Sequence, residues 1–174
     1  TSYSEMEVTK MNIPNPKVSI GLPVYNGENF LTEAIEAILD QTYTDFELII
    51  TDNASTDRTE AICTEYADRD RRIRYYRSEE NRGASWNFNR SFELARGEYF
   101  KWAAHDDLFA PEFLEKCVDV LDRYPSISVC HTKVKVIDKE GGFYDDEDIY
   151  VKLTNENIKL RTDSTVVADR LGDL

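Results

Sequence analysis

Apolar positions along the chain switch repeatedly between two periods. Val18, Ile20 and Leu22 sit at alternate positions in a short run ending at Pro23, which predicts a β-strand. Phe30, Leu31, Ala34, Ile35, Ile38 and Leu39 then recur at spacings of three and four, one face of a helix. Residues 46–50 form a compact apolar run and read as a buried strand. Ser55-Thr56-Asp57 has the composition of a helix start, with Ser55 or Thr56 as the cap and Glu60 near the first turn. The apolar face of that helix is expected to carry Ala61, Ile62, Tyr66 and Ala67. Residues 72–76 alternate like a strand, 84–96 predict a third helix closed by Gly97, and 98–103 predict a fourth strand. Pro111 is expected in the first turn of a helix through Phe113, Leu114, Val118 and Leu121, which Pro125 stops. The β-branched stretch 127–137 predicts a fifth strand before a turn at Gly141-Gly142.

Strand and helix therefore alternate, with short connections. That pattern predicts an α/β fold: a mostly parallel sheet sandwiched by helices. Right-handed crossovers place all strand C-terminal ends along one edge, where ligands bind in such folds. The first 16 residues are polar and aperiodic and read as a flexible arm.

Composition narrows the function. With 174 residues and 41% hydrophobic positions the chain can build one real core. It has 34 acidic and 21 basic residues, a formal net charge of −13. This argues against nucleic-acid or anionic-membrane binding, which need clustered Lys and Arg. No apolar stretch is long enough for a membrane helix, and no leader precedes the first strand, so a cytoplasmic domain is expected. Cys63, Cys117 and Cys130 are odd in number and widely spaced, and read as reduced thiols.

Four polar clusters follow the strands: residues 23–27, 52–57, 81–83 and 105–107. Any one of them is simply a polar loop; four on one edge point to a shared site. Neither a dinucleotide G-x-G-x-x-G nor a phosphate-binding G-x-x-x-x-G-K-[ST] occurs. The remaining way to hold a phosphate in an acidic site is a divalent cation. His105-Asp106-Asp107 offers hard ligands suited to Mg2+ or Mn2+, with phosphate oxygens completing the shell. For an isolated Asp-Asp, helix capping before Pro111 is the simpler account. Arg82, just after a strand at the same edge, is a candidate for diphosphate contact. The cluster Arg69, Arg71, Arg72, Arg74 and Arg77 is better explained by pairing with Asp68, Asp70, Glu79 and Glu80. Trp86 and Trp102 are read as core.

The ordered text resembles the family 2 glycosyltransferases of the Rossmann-like GT-A fold. The matching segments are 18–26, 41–57, Asn81-Arg82-Gly83, 95–99 and the 105–107 cluster with Pro111, and the likeness runs from about residue 17 to 140. The resemblance implies a nucleotide-diphospho-sugar donor, Mn2+ or Mg2+, and transfer with inversion to a carbohydrate or lipid-linked acceptor. It implies work in surface polysaccharide synthesis, in the cytoplasm or at the inner face of the membrane. Carried over by position, Pro23, Val24 and Tyr25 would line the nucleoside pocket, and Asp52 and Asn53 would face the base or ribose. Asp106 would be the metal ligand and a nucleotide contact, with Asp107 supporting the metal site.

Three departures qualify that picture. Ala104 stands where the family's D-x-D signature has its first Asp, so one ribose or metal-shell contact is missing or comes from His105. Asn53 replaces the usual second acid after strand two, which weakens its reading of a base N–H and leaves uridine unassured. Phe88-Asn89 stands for the usual Arg-Asn, removing one cation. In the family a carboxylate downstream takes the acceptor proton. Asp145, Asp146, Glu147, Asp148, Asp163 and Asp169 lie there, but a solvated surface explains them better and no base is named. Residues 17–140 thus read as the nucleotide-sugar-binding domain, and 141–174 as the truncated start of an acceptor-side region. A non-catalytic nucleotide-sugar-binding module is the rival. A sugar nucleotidyltransferase would need a Gly-rich basic loop after strand one, and 23–27 is not one.

Overall fold

A computed structural model describes residues 15–130 and 132. They fall into two compact units, Thr1–Phe109 and Ala110–Leu174. The first contains β1 (Val18–Val24), α1 (Leu31–Leu39), β2 (Phe46–Asp52), α2 (Thr59–Arg69), β3 (Ile73–Arg77), α3 (Ala84–Glu93) and β4 (Tyr99–Trp102). The second contains α4 (Phe113–Arg123). The expected acceptor-side start at 141–174 and nearly all of the expected arm lie outside the described residues. So does most of the expected fifth strand; its described part, 127–130 and 132, carries no strand. Among the described residues no helix is long and apolar enough to cross a membrane.

The sheet order is β3-β2-β1-β4, and every pairing is parallel. The chain steps outward from β1 through β2 to β3, then crosses to the other side of β1 for β4. That reversal opens a crevice at the C-terminal ends of β1 and β4, the usual ligand position in such sheets. Both faces of β1 and β2 are covered, so every residue of these strands is buried. Ile20, Leu22, Leu48, Ile49 and Ile50 are at most 2% exposed, and each contributes about 1.5–3 kcal/mol by burial. From the helices, Leu31, Ala34, Ile35 and Ile38 of α1 and Cys63 of α2 join this core.

Pro23 lies inside central strand β1, further than its sequence reading allowed. The register explains how. β4 ends opposite Gly21, so no neighbouring strand calls on the N–H that Pro23 lacks. Several helix boundaries also differ from expectation. Helix α2 starts at Thr59 with Arg58 at the cap position, so neither Ser55 nor Thr56 caps it. Its core-facing residues are Thr59 and Cys63, four apart, while Ala61 is exposed. Burial pushes the Cys63 thiol up to about 12. All three cysteines are free thiols. In the second unit, Pro111 precedes α4 in a turn closed by the Phe113 N–H donating to the Ala110 carbonyl.

Gly97 does not cap α3, which ends at Glu93. It lets the chain entering β4 lie against β1. A Cβ there would sit 2.5 Å from the Ser19 nitrogen and 2.8 Å from the Val18 carbonyl carbon. The Gly97 N–H donates to Ser19 Oγ at 2.8 Å, and Ser19 Oγ donates to Glu47 Oε1 at 2.7 Å. Glu47, on β2 with its side chain 4% exposed, also accepts from Arg74 at 2.8 Å and from Arg96 at 2.6 Å. Burial raises the Glu47 pKa, but these hydrogen bonds outweigh it and hold the carboxyl below its ordinary value.

Three outcomes follow. Gly97→Ala forces backbone against backbone and should cost about 1–3 kcal/mol of stability in urea unfolding. Glu47→Ala removes the acceptor shared by two part-exposed arginines and Ser19 and should cost about 1–3 kcal/mol. Because the folded pKa of Glu47 is depressed, its contribution is complete above the ordinary value of 4.5 and is lost as pH falls through the folded pKa. Unfolding measured between pH 7 and pH 3 should therefore show a steeper acid loss in the native protein than in Glu47→Gln.

Candidate functional site

Two connections meet at the strand ends and are zipped together by reciprocal bonds. The Asn26 N–H donates to Ser55 Oγ at 2.9 Å, and the Thr56 N–H donates back to Asn26 Oδ1 at 2.9 Å. Gly27 N–H donates to Thr59 Oγ1, Glu28 N–H to Asp57 Oδ2, and Arg58 N–H to Glu28 Oε2. Ser55 and Asp57 are therefore cross-loop acceptors and Thr56 a cross-loop donor, roles that their helix-cap composition does not reveal. Burial raises the Asp57 pKa, but hydrogen bonds from Thr59 and Glu28 outweigh it and lower it overall. Ala54, with φ of +62°, is held in the left-handed region where a Cβ costs about 1–2 kcal/mol. Its flanking bonds enforce this: Ser55 N–H donates to Asp52 Oδ1 at 2.8 Å, and Asn53 N–H to the Val24 carbonyl at 3.0 Å.

Beside this zipper lies a cavity of about 360 Å³. Pro23, Val24 and Tyr25 line it from the end of β1, and Asn53 from the end of β2. Asn81, Ala84, Asn87 and Phe88 line it from the third connection and α3, and Ala104, His105 and Asp106 from beyond β4. Residues from all four strand-end clusters thus share one wall. Tyr25 and Phe88 are 46% and 41% exposed, leaving two aromatic faces available to a planar ligand. His105 packs on Gly27, where a Cβ would lie 2.8 Å from His105 Cδ2. The Asp106 carboxylate is exposed and has no partner among the described residues.

Other candidates sit differently. Asp52 is fully buried and does not line the cavity. Its Oδ2 accepts from Tyr75 Oη at 2.8 Å and lies 3.4 Å from Arg77 Nε. Burial and the Asp52 contact push the Tyr75 hydroxyl far above its ordinary range. Arg82 is also absent from the lining; its guanidinium lies 5.0 Å over the Trp86 ring and 3.4 Å from Glu80. Asp107 is exposed outside the cavity, its N–H donating to the Ala104 carbonyl. Asn89 is exposed and absent from the lining. The arginine cluster is largely paired, to Glu65, Asp70, Glu47, Asp52 and Glu60, and of the partners expected from sequence only Asp70 is among them. Trp102 belongs to a partly exposed aromatic group with Phe88, Phe92 and Phe100 rather than to the core.

Asn53 is 2% exposed, and its amide is fully engaged with the third connection. Its Nδ2 donates to Asn81 Oδ1 at 2.8 Å and to the Gly83 carbonyl at 3.2 Å; its Oδ1 accepts from the Arg82 N–H at 2.9 Å. Gly83, with φ 86° and ψ 162°, turns this connection into α3 through a region that only glycine enters without strain. Asn87 crosses beneath, donating from Nδ2 to the carbonyls of Val24 and Thr51, while its buried Oδ1 has no partner among the described residues. Asn87 lies mid-helix with no motif around it, so sequence reasoning passes over it.

A metal can be tested against these donors. Among the described residues no group of three His, Cys, Asp or Glu side chains could hold an ion. A cage made by protein alone is therefore absent there. Asp106 at the cavity wall and the neighbouring Asp107 fit a Mg2+ or Mn2+ ion held by one or two carboxylates plus ligand phosphates.

Residues 19–172 match the family "Glycosyl transferase family 2". An uncharacterised glycosyltransferase of Rickettsia typhi is 40% identical over 114 residues, which cover 66% of this chain and 35% of that protein. Chondroitin synthase of Escherichia coli is 35% identical over 126 residues, 72% of this chain and 18% of the synthase. Among solved structures, the mannosyltransferase PcManGT from Pyrobaculum calidifontis, in complex with GDP-Man and Mn2+, matches with a TM-score of 0.62 and 26% identity. That match covers 71% of this chain and 37% of PcManGT. S. aureus TarS 1–349 in complex with UDP-GlcNAc matches with a TM-score of 0.59 and 27% identity, over 63% of this chain and 32% of that one. The chain spans well under half the length of each of these proteins. Its fold is the GT-A fold, and the chain belongs to glycosyl transferase family 2.

Proposed function

We propose that this chain binds the donor in a metal-dependent, inverting glycosyltransferase that moves a sugar from a nucleotide-diphospho-sugar to a carbohydrate or lipid-linked acceptor. The observation that carries this reading is the cavity at the sheet's reversal point, with two exposed aromatic rings and the unpartnered Asp106 carboxylate on its wall. Relatives that carry UDP-GlcNAc, or GDP-Man with Mn2+, support the class of ligand. The likeness to chondroitin synthase supports a role in polysaccharide synthesis.

In this reading Pro23, Val24, Tyr25 and Phe88 take up the nucleoside, and the diphosphate lies towards Asp106. Asp52 serves one level back: fully buried, it holds the Ser55 turn and the Tyr75 and Arg77 side chains in place. Arg82 contributes its backbone to the loop and keeps its guanidinium outside the cavity. Negative charge grows on the departing nucleoside diphosphate as the bond to the anomeric carbon breaks. A divalent ion held by Asp106, with Asp107 beside it, supplies Lewis-acid stabilisation of that charge when bound. Attack from the opposite face needs a carboxylate to accept the acceptor's proton. The acidic residues considered for that role, at 145–148, 163 and 169, lie outside the described residues.

One observation favours a second reading, donor binding without turnover. Ala104 lines the cavity where the family's first signature acid stands, so one polar contact to ribose or metal shell is gone. Transfer assays on the longest natural chain separate the two readings: binding without transfer or hydrolysis selects the second.

Calorimetric titration with UDP and GDP, with and without Mn2+, tests the shared core of both. Binding should tighten on adding Mn2+, and Asp106→Asn should remove that gain, weakening binding about tenfold or more. Binding indifferent to Mn2+ in the native protein would sink the metal-bridged reading.

A further inference from the structure

We infer that Asn81 is a specificity-determining residue, which selects a nucleobase with an oxygen at C4 of a pyrimidine or C6 of a purine over one with an amine at that position. The inference rests on the reading of the cavity as a nucleoside diphosphate site. It starts from a feature of hydrogen-bond direction. An Asn side chain has a donor end and an acceptor end that are interchangeable by rotation, and only its partners decide which end faces where. At Asn81 the partners decide it completely. Its Oδ1 accepts from Asn53 Nδ2 at 2.8 Å and from the Gly83 N–H at 2.9 Å. Rotating the amide would set its NH2 group against those two donors.

Asn53 cannot yield by rotating in turn. Its own NH2 donates both to Asn81 Oδ1 and to the Gly83 carbonyl, and its Oδ1 accepts the Arg82 N–H. The reversed amide would put an oxygen against two acceptors and a nitrogen against a donor. Asn53 is 2% exposed, so water cannot replace the lost bonds. The two amides are therefore locked as a pair, and the lock has one free end. The Asn81 NH2 group, on an exposed residue lining the cavity, has no acceptor among the described residues.

That end offers donors only. An oxygen on the base edge (O4 of uracil or thymine, O6 of guanine) accepts from it. An amine at the same place (N4 of cytosine, N6 of adenine) meets it donor to donor, and both groups lose their bonds to water without replacement. Among the carboxyl and amide side chains on the wall, no other is left to meet the base edge. Asn53 is spent on the loop, the Asn87 oxygen is buried, and Asp106 is assigned to the diphosphate end. An amide at 53 is thus a requirement of the lock, because a carboxylate there could not donate to Asn81 and Gly83.

The test compares UDP with CDP and GDP with ADP by calorimetry, all with saturating Mn2+ so that the diphosphate contribution is common to every arm. The native protein should bind UDP and GDP about tenfold or more tightly than CDP and ADP. Asn81→Asp retains an oxygen for Asn53 and Gly83 but turns the free end into an acceptor, so the preference should collapse or reverse towards CDP and ADP. Asn81→Ala should abolish the preference without reversing it, and serves alone if the Asp variant does not melt cooperatively. Equal binding of oxo and amino bases by the native protein overturns the inference while leaving the donor-site reading intact. So does an unchanged preference in the variants. Failure of all four nucleotides to bind overturns the donor-site reading and this inference with it.

Discussion

A carboxylate buried near each end of β2 is the constraint on which the rest of this domain depends. Glu47 and Asp52 sit on a strand covered on both faces, where an uncompensated charge costs several kcal/mol. Each is satisfied mainly by groups distant in the chain. Glu47 draws in Ser19 of β1, Arg74 of β3 and Arg96 from the connection into β4. Asp52 draws in the Ser55 N–H, Tyr75 and Arg77. The first network ties β1, β2, β3 and the connection into β4 together away from the cavity; the second props the turn from which Asn53 projects.

The division of labour explains why the site is preformed. Its loops carry little apolar material, so they are held by side chains bonding the backbone of the neighbouring loop. Ser55, Asp57 and Thr59 do this for 26–28, and Asn53 does it for 81–83. Strain at Ala54 and the glycine-only geometry at Gly83 persist because such bonds surround them. The cavity wall is then mostly apolar, carries two exposed aromatic rings, and has one carboxylate, that of Asp106, beyond the end of β4.

Most of the fold was legible in the chain. The switch from period two to spacings of three and four marks each strand and helix at nearly the right place, because burial of one face is a local requirement. The order β3-β2-β1-β4, with its reversal at β1, was not read from the chain and is seen only in the fold. What was not legible were the elements whose ends depend on distant contacts. Gly97 looks like a helix stop but is a point of backbone contact with β1. Ser55 and Thr56 look like caps but are partners of Asn26. Pro23 looks like a strand end, yet sits inside β1 because β4 stops short of it.

The sequence by itself determined the alternation of strands and helices, the family, and the four polar segments that follow the strands. These are properties of spacing and residue type, readable without knowing what lies opposite. Only the tertiary structure decided which polar residues in those segments face the cavity and which are consumed by the scaffold. Asn53 reads as a base contact until Asn81 and Gly83 are brought against it; Arg82 reads as a phosphate contact until Trp86 and Glu80 take its guanidinium. The physical reason is that a buried donor or acceptor must be paired, and the partner that pairs it can lie anywhere in the chain.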